Sequence, residues 1–133
     1  MVQFCIQFVG RMESMGDRMG IERFKVGPRM SQAVKHNGVV YLAGQVADDP
    51  SADAAGQTRQ ILAKIDGLLA EAGSDKSKLL SATIWLTDMA SFPTMNALWD
   101  AWVAPGNTPA RACVEAKLAA PPYLVEIAIV AAV

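Results

Sequence analysis

The sequence has few of the residues that metal sites and disulfide frameworks require. It contains two cysteines, Cys5 and Cys113, and a single histidine, His36. This inventory cannot supply the Cys/His spacing of a zinc site, so the sequence predicts neither a metal nor a cofactor. Cys5 lies in an N-terminal leader and Cys113 in a strand pattern, so no disulfide is expected. Free thiols indicate a reducing cytoplasm.

The sequence also lacks an excess of either charge and a long apolar run. Twelve basic and 13 acidic residues give a net charge of -1, which argues against the basic face of a nucleic-acid-binding protein. No apolar segment approaches the ~20 residues of a membrane span. Residues 1–9 (MVQFCIQFV) are apolar but lack the flanking features of a signal peptide. We therefore expect no nucleic-acid partner and no membrane partner.

What remains is a chain of 133 residues, 52% of them hydrophobic, which suits one domain with a real core. The first strong strand pattern is residues 38–46 (GVVYLAGQV), which follows the turn pair Asn37-Gly38 and is interrupted by Gly44. The sequence predicts a flexible extension over residues 1–19 and a single domain over residues 20–133.

Hydrophobic periodicity predicts five strands and two helices in the order β-β-α-β-α-β-β. The predicted strands are residues 30–35, 38–46, 79–86, 110–118 and 123–133, and the predicted helices run from Ser51 or Asp53 to about Ala72 and from about Ser91 to Pro105. This order fits an α+β fold in which two helices cover one face of an antiparallel or mixed sheet. The apolar content of the other face predicts that another copy of the chain covers it.

Glu126 is the one charged residue in the apolar segment 123–133 (YLVEIAIVAAV). Burial of an isolated carboxylate is costly, so this side chain should be paired, protonated or placed at a wet cleft. The alternative is a glutamate on the polar edge of a strand, with no functional role.

Arg111 is the natural partner of Glu126, since its planar fork can bind a carboxylate with two hydrogen bonds. If the last two strands form a hairpin, one register places Cys113 opposite Glu126 and Arg111 diagonally nearby, all on one sheet face. A second register would place Glu115 opposite Glu126, which charge repulsion disfavours. A purely structural ion pair explains the pattern as well as a site does. A nucleophilic Cys113 would need a nearby histidine, so a buried thiol is the favoured interpretation.

Four segments together resemble the Rid family of enamine/imine deaminases, and especially its YoaB-like branch. They are GPRMSQAVKHNGVVYLAGQV, MNALWDAW with Asn96, TPARACVE with Arg111, and VEIAIVAAV with Glu126. The family's counterparts are a Gly-Pro-Tyr-Ser-Gln-Ala opening before a strand ending in Ser-Gly-Gln, a similar second helix, a Pro-Ala-Arg-Ser-Cys-Val-Glu run, and a last strand containing a glutamate. The resemblance covers the chain from about Gly20 to its end.

The resemblance implies a chorismate-mutase-like α+β fold and a homotrimer with sites between subunits. It implies hydrolysis of reactive enamines and imines, such as 2-aminoacrylate, to 2-keto acids and ammonia. By the same resemblance Arg111 would bind the substrate carboxylate and Glu126 would position or activate water. Cys113, Asn96 and the backbone of Gly44 would line the pocket.

Two residues depart from the family pattern. Met30 stands where the family has a pocket tyrosine, and Ala43 replaces the serine before Gly44. Both changes remove hydroxyl groups, which leaves the substrate open and favours an alternative: a non-catalytic trimer that binds a small carboxylate ligand. The family's older labels, endoribonuclease and translation inhibitor, rank last, because the chain offers no basic channel and no pair of histidines for acid/base catalysis.

Overall fold

The computed structural model describes residues 20–133, which form a six-stranded sheet and two α-helices. The strands are β1 (Glu22–Val26), β2 (Ser31–His36), β3 (Val39–Leu42), β4 (Leu79–Leu86), β5 (Ala110–Glu115) and β6 (Val125–Ala132), and the helices are α1 (Ala54–Glu71) and α2 (Phe92–Trp102). The predicted α+β class is confirmed. The prediction of a flexible extension over residues 1–19 lies outside the described residues.

The sheet has the strand order β1-β2-β3-β6-β4-β5. β4 and β5 run parallel, and every other neighbouring pair is antiparallel. The two helices cover one face and bury a continuous apolar core that includes Ile61, Ile65, Ile84, Ile127 and Ile129. No helix within residues 20–133 has the length and apolarity needed to cross a membrane.

The turn between β2 and β3 is the hairpin that Asn37-Gly38 predicts. Both residues have positive φ, 54° and 75°, as a tight hairpin turn requires. β3 ends at Leu42, short of the predicted residue 46, because the regular strand pairing is interrupted around Gly44. Gln45 then returns to the sheet through a single bridge to Ile127.

Both helices begin where the sequence predicts, and α1 also ends there, whereas α2 ends at Trp102, three residues before the predicted Pro105. The Asp53 carboxylate accepts a hydrogen bond from Gly56 N at 2.8 Å and caps α1, and Gly73 follows its end with φ of 82°. In α2, Pro93 lies in the first turn, where it loses no intrahelical hydrogen bond. Its apolar stripe consists of Phe92, Met95, Trp99 and Trp102, spaced three, four and three residues apart, and Met95 and Trp99 are buried.

The sequence-based strand order was wrong at its start, because it omitted β1. This strand reads ERFKV, so three of its five residues are charged and four are exposed. It pairs with β2 at the edge of the sheet, where a strand needs no buried alternating face. A search for apolar periodicity therefore has little to detect in it.

The predicted hairpin of the last two strands was also wrong. β4 lies between β5 and β6, so that Arg111 pairs with Ala82 and Glu126 pairs with Trp85. The reason is that β5 follows α2 and completes a β-α-β crossover, in which a strand pairs in parallel with the strand before the helix. Neither of the two registers considered for a β5–β6 hairpin occurs.

The pairing places Arg111 and Glu126 on opposite faces of the sheet. Arg111 and Cys113 are in register with the buried Ala82 and Ile84, on the face that the helices cover. Glu126 alternates with the buried Val125 and Ile127, so it lies on the helix-free face. The predicted arrangement of all three side chains on one face is therefore corrected.

Candidate functional site

The Arg111 guanidinium is held over two aromatic rings of α2. Its Cζ lies 5.8 Å from the centroid of Phe92 and 5.6 Å from that of Trp99. At these distances the ring faces attract the cation and restrict its orientation. Within residues 20–133, Arg111 forms no ion pair with a carboxylate. The guanidinium is thus positioned by packing, and its fork has no acidic partner in the described chain.

Asn96 lies on the same face of α2, four residues after Phe92 and three before Trp99. Its Oδ1 is buried and has no hydrogen-bond partner among residues 20–133. A buried acceptor without a partner is costly, so this oxygen is available to a donor on water, on a ligand or on another chain. Arg111 and Asn96 together form what we call the arginine half-site.

Cys113, two residues after Arg111 on β5, is half-buried against the core. Burial raises the pKa of its thiol, and the positive charge of Arg111 opposes this shift only in part. His36 lies four strands away, where its Nδ1 is 3.2 Å from the carbonyl oxygen of Gly20. An activated nucleophile needs a lowered pKa, so the geometry favours the interpretation of Cys113 as a packed thiol.

Glu126 lies against Gly44 on the helix-free face. A Cβ added to Gly44 would be 2.9 Å from Cδ of Glu126, closer than carbon atoms can pack. Gly44 is not among the positive-φ glycines, so the carboxyl group rather than the backbone conformation requires glycine here. Glycine within a strand pattern often marks a close approach, and here the group that approaches Gly44 is the Glu126 side chain. These two residues form the glutamate half-site.

The backbone around the glutamate half-site is fixed by a buried glutamine. Gln45 is 2% exposed, and its Nε2 donates to Gln32 Oε1 and to Ala43 O, both at 3.0 Å. Ala43 N in turn donates to Gln32 O at 2.9 Å. Ala43 is half-buried next to Gly44, whereas Met30 is 48% exposed in the connection between β1 and β2.

A second buried glutamine, Gln57 of α1, holds the start of β6. Its Nε2 donates to Pro122 O at 2.9 Å, to Ala52 O at 3.0 Å and to Pro50 O at 3.2 Å, and its Oε1 accepts from Leu124 N at 2.8 Å. The side chain is fully buried. Gln57 therefore links the connection before α1 to the connection before β6, and its bond to Leu124 lies two residues before Glu126.

Sequence reasoning missed Phe92, Gln45 and Gln57 as contributors to the site. Phe92 belongs to the apolar stripe of α2, and the stripe alone does not show that the cation of β5 packs on it. Gln45 lies in the connection after β3 and Gln57 in the first turn of α1, and the neighbouring residues do not mark either side chain as buried. Their burial depends on contacts between distant parts of the chain, and local sequence carries no signal for these contacts.

The arginine half-site and the glutamate half-site do not meet within one chain. The arginine half-site lies on the helix-covered face at the β5 edge, and the glutamate half-site lies on the opposite face, on β6 and the segment after β3. Residues 20–133 also contain no cluster of three or more His, Cys, Asp and Glu side chains able to hold a metal ion.

Comparison with known proteins gives a consistent family. A family model described as Endoribonuclease L-PSP matches residues 21–133. A RutC family protein from Haemophilus ducreyi is 50% identical over 113 residues, which cover 85% of this chain and 97% of the relative. The RutC family protein YoaB from Escherichia coli (strain K12) is 48% identical over 115 residues, covering 86% of this chain and 100% of the relative.

Solved structures agree in fold. A member of the YjgF protein family from Neisseria meningitidis superposes with a TM-score of 0.83 at 52% identity, over 86% of this chain and 96% of that one. A protein of the Rid family from Yersinia pestis superposes with a TM-score of 0.75 at 34% identity, over 81% and 90% of the two chains. The sheet order and the placement of both helices are thus those of a known family.

Proposed function

Because the chain belongs to the Rid family of YjgF and RutC proteins, in its YoaB-like branch, we propose that it hydrolyses reactive enamines and imines derived from amino acids. The substrate class is 2-aminoacrylate-like, and the products are a 2-keto acid and ammonia. The observation that carries the proposal is the Arg111 guanidinium, which two aromatic rings hold in place without an acidic partner in residues 20–133.

Arg111 supplies the carboxylate-binding group. Its planar fork matches the two oxygens of a substrate carboxylate, and the Phe92 and Trp99 rings restrict its motion before substrate arrives. A fixed cation costs little reorganisation when the substrate binds. The partnerless Oδ1 of Asn96 can accept a hydrogen bond from the substrate nitrogen, which carries N–H groups in both the enamine and the imine.

Glu126 supplies the group that handles water and protons. The enamine first takes a proton on its β-carbon and becomes the imine. Water then adds to the imine carbon, the C–N bond breaks, and ammonia leaves as the carbonyl forms. No electrons are gained or lost, so no redox cofactor is needed. A carboxylate held over Gly44 can accept a proton from the attacking water, and positioning alone accounts for much of the acceleration of so reactive a substrate.

The site forms between copies of the chain. Each copy carries the arginine half-site on one face and the glutamate half-site on the other, so a complete site needs residues from two copies. The helix-free face also presents apolar side chains that a second copy would cover, among them Tyr41 (50% exposed) and Val114 (47% exposed). A closed homotrimer satisfies both requirements with three equivalent sites.

The experiment is a coupled assay in which a dehydratase generates 2-aminoacrylate from serine and keto-acid release is followed. The wild-type chain should accelerate release and Arg111→Ala should not. Since Arg111 is exposed, its loss should cost only about 0.5–1 kcal/mol of stability through the aromatic contacts. Thermal denaturation of the same variant is the control. Unfolding of Arg111→Ala would favour a structural role for the arginine instead.

A second function is favoured by Met30 and Ala43. Neither residue carries a hydroxyl group to orient water or a substrate nitrogen, which suits a trimer that binds a small carboxylate through Arg111 without catalysis. Saturable binding of pyruvate, with no acceleration of keto-acid release across several imine side chains, would support this function over deamination.

Cleavage of RNA is disfavoured, because the net charge is -1 and the single histidine, His36, contacts a backbone carbonyl at a turn. We place either activity in the cytoplasm, since Cys113 is a free thiol.

A further inference from the structure

A polar cleft of 390 Å³ lies between α1, the edge strands β1 and β2, and the segment after β3. Its lining residues are Lys25, Gln32, Gln45, Asp48, Lys64, Gly67 and Leu68. The volume is within the range of small-molecule sites, and a mixed lining of charges, amides and one leucine is typical of them. Neither half-site of the proposed active site contributes a side chain to it.

Lys25 reaches this cleft through an unfavourable backbone conformation. Its φ is 48°, a value that a residue with a Cβ seldom adopts. The register of β1 with β2 skips this residue, since Phe24 pairs with Ala33 and Val26 with Ser31. The Lys25 ammonium has one distant counter-charge, Glu71 at 3.9 Å. Conformational strain that places a loosely paired cation in a cleft is more often found at functional sites than elsewhere.

Gly67 is a second locally unfavourable choice in the wall of the same cleft. It lies inside α1, where glycine is less favourable than alanine. Its φ is not positive, and a Cβ added there would meet no atom within 4 Å. Neither backbone conformation nor packing requires glycine at this position. The absent side chain leaves the wall of the cleft open.

The remaining lining groups are ordered before any ligand binds. The Lys64 ammonium donates to Val46 O and to Asp48 Oδ1, both at 2.9 Å. Gln45 is 2% exposed, and two hydrogen bonds from its Nε2 fix the side chain. The lining thus holds two ammonium groups, and Lys64 is already paired with the Asp48 carboxylate. Glu71 lies outside the lining and is 3.9 Å from Lys25, so Lys25 is the ammonium group that an anion can engage.

We propose that the cleft between α1 and the β1–β2 edge binds a small organic carboxylate, at a site separate from the one that Arg111 serves. The carboxylate group pairs with Lys25 and approaches Lys64, and its carbon chain lies along Gly67 and Leu68. Within one chain, β1 and β5 are the two opposite edges of the sheet, so Lys25 and Arg111 serve different places. The inference does not depend on the proposed deaminase activity.

The test is a titration of the full-length, ¹⁵N-labelled protein with succinate. The backbone amide of Gly67 and the side-chain amides of Gln32 and Gln45 should shift saturably. Lys25→Gln should weaken binding by roughly tenfold, as expected for the loss of one charge-assisted contact. Lys78→Gln, an exposed lysine outside the cleft, is the matched control and should change nothing.

Gly67→Leu separates binding from folding. Leucine favours the helix more than glycine does, so this variant should melt at a higher temperature than wild type and yet bind succinate more weakly. Three results would overturn the proposal: no saturable shift in the wild type, tighter binding of inorganic phosphate than of succinate, or loss of the shifts in Arg111→Ala. The last would assign the cleft to the proposed active site. If succinate binds normally to a protein that shows no deaminase activity, the proposed carboxylate site stands and only the proposed deaminase activity is contradicted.

Discussion

Glu126 lies so close over Gly44 that no side chain fits between them. A Cβ at position 44 would be 2.9 Å from Cδ of Glu126. We therefore expect Gly44→Ala to move the carboxyl group by about 1 Å and to lower kcat for imine hydrolysis by roughly 10- to 100-fold, because a misplacement of that size is costly in a positioned site. The fold should persist, since the backbone at Gly44 has no positive φ.

A double variant shows whether Gly44→Ala acts through Glu126. Gly44→Ala combined with Glu126→Gln should be no slower than Glu126→Gln alone, because the displaced group is then already inactive. Coupled assays on the four chains measure this. Additive losses in the double variant would mean that Gly44 serves another purpose, such as access of the substrate to the backbone.

The separation of the two half-sites predicts complementation between inactive chains. Arg111→Ala retains the glutamate half-site, and Glu126→Gln retains the arginine half-site. When the two chains are unfolded together and refolded as mixed trimers, roughly a quarter of the inter-subunit sites should contain both intact halves if subunits combine at random. Keto-acid release by the mixture should approach that fraction of the wild-type rate. A mixture of the two folded proteins without exchange is the control.

If the mixed trimers stay inactive although mass spectrometry shows that they form, the site lies within one chain. Arg111 and Glu126 would then have to come together by a rearrangement of β4, β5 and β6. That result would contradict the sheet register, in which Trp85 separates Glu126 from Val114 of β5.

The sequence predicted most elements of the fold because their signals are local. Asp53 caps α1, Gly73 ends it, and the apolar run of residues 79–86 forms β4. β1 gave no such signal, because its charged residues lie at a sheet edge. The partner of β5 was mistaken for a similar reason, since pairing depends on the path of α2 and not on the residues of β5 alone.

The candidate site was predictable in its residues but not in its arrangement. Glu126 is conspicuous as the one charge in an apolar strand, Arg111 lies in a segment resembling that of the Rid family, and the sequence suggested that the two side chains meet. They lie on opposite faces, so the contact that each side chain lacks within residues 20–133 must be sought in a ligand or in another copy. The sequence predicted that another copy covers the sheet, but it could not show which residues of that copy would lie beside Arg111, Glu126 or the partnerless Oδ1 of Asn96.

Gln57 should contribute more to stability than its polarity suggests. Gln57→Ala would leave the buried N–H of Leu124 and several carbonyl groups without their partner. We expect a loss of roughly 2–4 kcal/mol in the free energy of unfolding, measured by urea denaturation. Gln60→Ala is the matched control on the same helix. Gln60 binds the exposed Asp49 backbone, so its loss should cost less than about 1 kcal/mol.

Equal costs for the two variants would contradict the role assigned to Gln57. Water entering the space of the truncated side chain could then satisfy the orphaned groups, and the connection before β6 would not depend on this glutamine. In Gln57→Ala, the rate of imine hydrolysis well below the unfolding temperature should fall only if a shift at the start of β6 moves Glu126.

Cys113 should react slowly with alkylating agents, because burial raises the pKa of its thiol. Reactivity follows the thiolate, so alkylation by iodoacetamide at pH 8 should be slower than that of an unhindered thiol and should rise at a higher pH. The measurement uses a Cys5→Ser background, so that one thiol reports. Mass spectrometry of the time course gives the rate at each pH.

Arg111 supplies the internal control for that experiment. Its positive charge lowers the pKa of the Cys113 thiol, in opposition to burial. Arg111→Gln should therefore move the alkylation profile to a still higher pH, while Lys117→Gln, which removes a positive charge four residues after Cys113 along the chain, should leave it in place. A profile that moves to lower pH in Arg111→Gln would mean that the guanidinium shields the thiol from reagent more than it stabilises the thiolate. The cation of the arginine half-site would then lie against the thiol, and not over the aromatic rings where a substrate carboxylate can reach it.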